Sequence, residues 1–273
     1  MNNIKMYCLC LDDNLFKQVT NLGYIPVGLG LNKFSSKWLT DRTGVNISKK
    51  NIYYGEHSFH YWLWKNNLKN LNENTWIGFC AHRRFWKNNN YNDYNDINFE
   101  NSVLKDIPPE WKNYDVILGN KIKLDQVKWM KVLKYGKKAL CRNPGAIFKK
   151  GRTIKFQFDM FHGNGILDKA ITLLNDNDRD NFKKFVNTET SYNQGNMFIC
   201  KSTKIMSKYY ETIFDWLKKC ENVFGFDLKG YAGIRLYAFL AERFLPYWFN
   251  KNTKVLEWPI LFYDLRKRNL NEK

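Results

Sequence analysis

An α/β fold, with a mixed and mostly parallel sheet flanked by helices and a helical C-terminal part, is predicted by three features of the sequence. Apolar runs of strand length alternate with segments of helical period, the order that sheets built from βαβ units require. The runs that begin at Ile4 and Trp76 are almost continuously apolar, as strands covered on both faces are. Beyond residue 200, two long segments carry apolar side chains at helical spacing.

The elements follow in order. Residues 4–11 form the first strand, which ends at the polar pair Asp12-Asp13. Tyr24-Ile-Pro-Val-Gly-Leu-Gly30 reads as the second, with glycines at its exit. Ser48 is placed to cap a helix whose strongest part is residues 54–66, where Phe59, Trp62 and Leu63 share a face. Residues 76–85 form the next strand. The Asn-, Asp- and Tyr-rich stretch 88–101 has no apolar period and reads as an exposed loop or lid. A compact strand at 114–118, a basic irregular stretch at 120–155, a helix at 166–174 and a short buried strand at 196–200 come next. Helices at 204–220, carrying Tyr209, Ile213, Trp216 and Leu217, and at 231–244, stopping before Pro246, precede a last strand at 255–262. No internal repeat is visible. A single domain over 1–273 is expected, with halves of about 1–120 and 121–273.

A hydrophobic fraction of 44% in 273 residues supports a sizeable core. The formal charge of +18 favours polyanionic partners: nucleic acid, anionic membrane or phosphorylated substrates. Most basic residues are scattered, and the short runs Lys137-Lys138, Lys149-Lys150 and Arg266-Lys267-Arg268 read as solvated faces. Cys8, Cys10, Cys80, Cys141, Cys200 and Cys220 show neither a Cys-x-x-Cys pair nor zinc-finger spacing, so they read as small buried hydrophobes in a reducing compartment. The start lacks a charged-then-apolar leader, and no run reaches the ~18 apolar residues of a membrane span. A cytoplasmic protein is expected, resting on the inner membrane, if at all, through its basic surface.

Trp76-Ile-Gly-Phe-Cys-Ala-His-Arg-Arg-Phe-Trp86 is the most chemically specific segment. A strand here runs into two arginines at its carboxyl end, where open α/β sheets form their ligand crevice. Paired guanidinium groups there offer forks for carboxylate or phosphate. The same pair would also serve as a surface ion pair worth little.

Several segments, in this order, carry a family resemblance. They are Tyr24-Ile-Pro-Val-Gly-Leu-Gly30, Asp41-Arg-Thr-Gly-Val-Asn-Ile-Ser48 with Lys50-Asn51, and Glu56 through Tyr61-Trp62-Leu-Trp64-Lys65-Asn66. Ile77-Gly-Phe-Cys-Ala-His-Arg-Arg84, Tyr114-Asp-Val-Ile-Leu118, Asn196-Met-Phe-Ile199, and Arg235 with Phe239-Leu-Ala-Glu-Arg243 complete the set. Spanning most of the chain, they resemble a family of bacterial capsule and exopolysaccharide glycosyltransferases whose domain was formerly of unknown function. The resemblance implies a GT-A-like, Rossmann-type fold with a nucleotide-binding half at about 1–120 and an acceptor half at about 121–273. Where the family reads His-Tyr-Arg-Arg, this chain has Ala81-His82-Arg83-Arg84, which puts any role of the first histidine in doubt. The stretch 118–162 is also longer than in the family.

A nucleotide-sugar transferase must hold a diphosphate, stabilise its departure and align an acceptor hydroxyl. Many GT-A enzymes neutralise the diphosphate with Mn or Mg held by an Asp-x-Asp motif. His82, Arg83 and Arg84 stand in that place, so metal-independent binding is favoured and no residue is assigned as a metal ligand. Arg83 and Arg84 are expected to bind the diphosphate, unless one pairs with an interior acid such as Glu56 or Glu242. Asp41, Thr43, Asn46 and Ser48 form a polar turn ahead of a helix, suited to a phosphate or ribose, or simply to capping. Glu56, amid aromatics, needs a partner if buried, for which a sugar hydroxyl or Arg84 would serve. His162 and Asp168 match a family segment in which a histidine precedes an aspartate, and either is a candidate general base, with His57, His60 and His82 as competitors. Asn196, Glu242 and Arg243 are expected near the acceptor or in structural roles. Trp62, Trp64, Trp216 and Trp248 are candidates for sugar stacking or for the core.

The expected partners are a UDP-linked nucleotide sugar and a glycan or lipid-linked acceptor. A basic nucleic-acid-binding protein is the alternative from another class, disfavoured by the lack of a helix-turn-helix, zinc finger or RNA-recognition motif. A catalytically inactive sugar-binding homologue is the third reading, kept open by Ala81.

Overall fold

The computed structural model describes residues 4–73, 75–90, 99–126, 130, 132, 134 and 136–266. Its strands are β1 (Ile4–Cys10), β2 (Ile25–Gly28), β3 (Leu39–Thr40), β4 (Trp76–Ala81), β5 (Arg84–Trp86), β6 (Val116–Gly119), β7 (Lys121–Lys123), β8 (Ser191–Asn193), β9 (Phe198–Cys200), β10 (Val255–Trp258) and β11 (Ile260–Phe262). Contacts divide the chain into two compact units, one of residues 1–120, 197–210 and 252–273, the other of 121–196 and 211–251.

The first unit is built on the sheet β10-β6-β9-β4-β1-β2-β3. β1 runs parallel to β2 and β4, β2 to β3, and β6 to β10, while β9 lies antiparallel between β4 and β6. The sheet is thus mixed and mostly parallel. Alternation along β1 sends Met6, Cys8 and Cys10 into one large cluster with Leu15, Trp86, Phe99 and Trp111. On the opposite set of positions, Tyr7 meets Phe59 of the helix His57–Asn66 at 5.2 Å and Phe79 of β4 at 5.8 Å. Both faces are therefore covered, which is why β1 and β4 read as unbroken apolar runs.

Several boundaries differ from the sequence expectation. The helix expected over 54–66 is two helices, Asn51–Tyr54 and His57–Asn66, parted at Gly55, whose φ of 55° favours glycine. Ser48 does not cap them: its hydroxyl donates to Asn46 Oδ1 at 2.8 Å. The strand expected over 76–85 is a hairpin in which β5 turns back on β4 through the pair Ala81 and Arg84, and β11 then adds antiparallel to β5. Pro259 separates β10 from β11, splitting the single strand expected over 255–262. Most of the loop expected over 88–101 lies outside the described residues, although the short helix Phe99–Ser102 is part of its end.

The second unit is mainly helical, with the helices Ile154–His162, Asp176–Thr188 and Leu236–Asn252, the latter part of Thr203–Phe224, and the ribbon β7-β8. Its core centres on Phe182, whose ring lies 5.8 Å from Trp216, 5.2 Å from Phe244 and 5.1 Å from Tyr247. Pro246 lies inside the helix Leu236–Asn252 instead of ending it. That helix is buried almost all round, so its packing outweighs the lost hydrogen bond. The expected irregular stretch 120–155 contains β7, the helix Lys137–Arg142 and 3-10 turns at Pro144–Ile147 and Lys149–Gly151. Five cysteines are buried, as expected, but Cys141 is exposed. No helix among the described residues is long and apolar enough to cross a membrane.

Candidate functional site

In the first unit a cleft of about 520 Å³ opens at the carboxyl ends of β1 and β4. Leu11, Asp12 and Asp13 line it from the end of β1, His82 and Arg83 from the turn after β4, and Asn32 and Lys33 from the loop after β2. Arg266 completes the lining from the segment that follows β11. Parallel order explains the position, because β1, β2 and β4 deliver their carboxyl ends to one edge.

The arginine pair divides at this edge. Arg83 Nε donates to Asp264 Oδ2 at 2.8 Å, and the Arg83 side chain remains 54% exposed. Arg266 bonds the same carboxylate through Nε at 3.0 Å and Nη2 at 2.7 Å. Arg84 does not line the cleft; its guanidinium lies over the Phe262 ring, 5.7 Å from the centroid, because β5 sets Arg84 opposite Phe262 of β11. The carboxylate that engages Arg83 is Asp264, neither Glu56 nor Glu242. His82 is anchored by its backbone N–H, which donates to the Leu9 carbonyl at 3.4 Å, and its Nδ1 is buried without a hydrogen-bond partner. Burial, then the neighbouring Arg83 charge, push the His82 pKa down against the pull of Asp264, which favours a neutral imidazole.

Asp12 and Asp13 are the carboxylates of the cleft. Asp12 Oδ1 accepts from the Asn14 backbone and side chain, and Asp13 Oδ1 accepts from the Ser35 N–H at 2.8 Å. Among the described residues no three His, Cys, Asp or Glu side chains converge as a metal cluster would require. The lining thus sets the two carboxylates beside the basic Lys33, Arg83 and Arg266.

Asp41, Thr43, Asn46 and Ser48 do come together, as an internally braced turn. Asp41 is fully buried, its Oδ1 accepts from the Gly30 N–H at 3.0 Å, and burial raises its pKa despite hydrogen bonds from Ser58 and Gly30. Arg42 Nε donates to the Gly30 carbonyl at 2.6 Å. Thr43 accepts from Trp62 Nε1, and Asn46 donates to the carbonyls of Arg42 and Gly44. These bonds hold the Leu29-Gly30 exit of β2, next to which Asn32 and Lys33 line the cleft. Glu56 is half-buried and precedes the helix His57–Asn66, whose first turn it joins through its carbonyl. His60 is structural: its Nδ1 pairs with the Tyr210 hydroxyl at 2.8 Å, and its ring lies 5.2 Å from that of His57.

The remaining candidates, Trp62 and Trp64 apart, belong to the second unit. His162 lies against Phe239 at 4.0 Å and Phe158 at 4.7 Å. Burial, reinforced by the Arg243 charge, lowers its pKa to about 3, and so weak a base is poorly matched to proton abstraction near neutral pH. Asp168 is half-exposed and shares Lys155 with the buried Asp159, at 2.9 and 2.6 Å. Burial alone would lower the Lys155 pKa, but the two carboxylates more than offset it and raise it. Glu242 and Arg243 form an interior ion pair: Glu242 Oε1 accepts from the Gly195 N–H at 2.8 Å, and Arg243 Nη2 donates to Gln157 Oε1 at 2.7 Å. Asn196 Nδ2 donates to the Ala238 carbonyl at 3.3 Å. Trp62, Trp216 and Trp248 are core residues, whereas Trp64 is half-exposed with Lys65 Nζ 3.4 Å above its ring.

Sequence reasoning missed Asp264 and treated Arg266 as part of a solvated basic run. Their only local signal was the single acid close to that run; what brings them to the cleft is the long-range pairing of β11 with β5.

A family model described as a domain of unknown function, DUF4422, matches residues 5–253 of the chain. Among solved structures, the bifunctional glycosyltransferase WbbM in its apo form superposes with a TM-score of 0.66 at 20% identity, covering 96% of this chain and 45% of that one. The chain thus spans less than half the length of WbbM and shares its fold over that part. No curated protein matches the chain.

Proposed function

The chain belongs to this family of domains of unknown function, and from that premise we propose that it is a glycosyltransferase. It moves a sugar from a nucleotide-sugar donor, UDP-linked, to a glycan or lipid-linked acceptor in surface polysaccharide synthesis. The observation that carries this reading is the cleft at the carboxyl ends of β1 and β4, with Arg83, Arg266, Lys33 and a neutral His82 in its lining. A glycosyltransferase fold in WbbM supports it.

In this reading Arg83 and Arg266 hold the donor diphosphate and stabilise the negative charge that grows on it as the glycosidic bond to the sugar breaks. His82 adds an uncharged N–H. The turn from Asp41 to Ser48 supports the cleft through Gly30 and does not touch donor directly.

Thermal denaturation with uridine diphosphate tests the proposal, run with manganese and again with a chelator. A ligand at a hundredfold excess over its Kd stabilises by about 2.7 kcal/mol, a shift of several degrees. The expected result is the same shift in both conditions and a shift of about half that size or less in Arg83→Ala. No shift under either condition removes the donor assignment. Release of free sugar from a panel of UDP-sugars then separates an active enzyme from an inactive homologue.

A further inference from the structure

We propose that the second unit carries its own anion site, a cleft that binds the phosphate or diphosphate group of a ligand. The cleft, of about 670 Å³, opens beside the helix Lys137–Arg142. Lys137, Lys138 and Arg142 line it from that helix, and Lys134 from just before it. Among the described residues no carboxylate pairs with Lys137, Lys138 or Arg142. Lys138 and Arg142 stand four residues apart on one helical face, where like charges repel.

The acid in the lining does not relieve this repulsion. Asp159 is buried, its Oδ2 accepts from Lys155 at 2.6 Å and its Oδ1 from the Gly165 N–H at 3.1 Å, so its charge is already matched. Phe161, Gly163 and Asn164 also line the cleft. Asn164 Oδ1 is buried with no hydrogen-bond partner, and a hydroxyl on the molecule that carries the phosphate would supply the missing donor. Lys137, Lys138 and Arg142, exposed and without a paired carboxylate among the described residues, gather at an open cleft in the arrangement that a multiply charged anion stabilises. A headgroup of an anionic lipid and a soluble sugar phosphate share this chemistry. The inference rests on the second unit alone and stands whether or not the first cleft holds a nucleotide.

Titration calorimetry with inorganic pyrophosphate, and co-sedimentation with phosphatidylglycerol vesicles against phosphatidylcholine vesicles, test it on the full chain. The triple variant Lys137→Glu, Lys138→Glu, Arg142→Glu is compared with a control of equal net charge, Lys17→Glu, Lys69→Glu, Lys112→Glu, whose residues are exposed in the first unit. All six positions are on the surface, and an unchanged melting temperature verifies folding. At least tenfold weaker binding of either probe in the site variant, with less than threefold change in the control, is expected. Loss with vesicles alone identifies a lipid headgroup as the source; loss with pyrophosphate alone identifies a soluble ligand. Equal loss in both variants, or in neither, overturns the proposal. The titrations are also made in an Arg83→Ala background, in which pyrophosphate binding at the donor cleft is weakened, so that the loss seen there in the site variant is that of the second cleft alone.

Discussion

Asp264 joins Arg83 across 181 positions of sequence through a 2.8 Å bond from Nε to Oδ2. The same carboxylate takes two bonds from Arg266. One acid thus orients two guanidinium groups at the cleft edge while leaving each with donors to spare, since a guanidinium carries five. In the proposed enzyme Asp264 is a positioning residue.

Asp264→Ala is expected to weaken uridine diphosphate binding about tenfold, or roughly 1.4 kcal/mol, with Asp264→Glu recovering part of it. Because both guanidinium partners of Asp264 are about half-exposed, the melting temperature should hardly move, a solvent-screened pair being worth about 0–1 kcal/mol. Calorimetry that finds equal affinity in the alanine variant would show that Asp264 does not organise the site.

The split of the arginine pair separates two residues that look equivalent in sequence. Arg83→Ala and Arg266→Ala should each reduce nucleotide affinity by about tenfold or more, in the range of charge-assisted bonds at about 1.5–3 kcal/mol. Arg84→Ala should leave it unchanged, since Arg84 lies over Phe262. A larger effect at Arg84 than at Arg83, read in the same titration, would contradict the assignment.

His162 predicts a pH signature. Its folded pKa of about 3 lies below the unfolded value near 6.5, so above about 6.5 both states are neutral and stability is flat for this group. As pH falls further the unfolded chain takes up a proton that the folded chain refuses, and stability declines by up to about 1.4 kcal/mol per pH unit until about pH 3. In denaturant unfolding between pH 6.5 and 4.5, His162→Gln should show a shallower acid loss than the parent protein. Parallel curves would mean that His162 titrates normally in the folded state.

Trp216 fills the centre of the helical unit and donates Nε1 to the Ala170 carbonyl at 2.7 Å. Trp216→Ala should destabilise by about 3–5 kcal/mol through the cavity it leaves, with the unpaired Ala170 carbonyl adding to the cost. Chemical denaturation measures it; a loss below about 1 kcal/mol would show that the site collapses or is more hydrated than its packing indicates.

Local physics made some of this molecule readable and hid the rest. β1 and β4 were legible because burial on both faces leaves an apolar run that ends where polar side chains resume, which also locates His82 and Arg83 at a strand's carboxyl end. β5 and β11 were not, because strands of three residues owe their existence to partners far along the chain. The fate of Arg84 followed from that hidden pairing: the β5 register, not the residue type, turned it toward Phe262. Pro246 misled for the opposite reason, since a helix buried nearly all round tolerates a break that an exposed helix would not. The braced turn from Asp41 to Ser48 shows a third limit, for the same polar residues that suit a ligand also satisfy one another.

Five of the thiols are sealed inside the protein, and burial pushes those of Cys200 and Cys220 up to about 12, leaving them unreactive. Cys141 alone is exposed, on the short helix whose lysines and arginine face the second cleft. The native chain therefore comes with a built-in attachment point: a maleimide dye would tag one position without mutagenesis, and its emission would respond to whatever enters beside it.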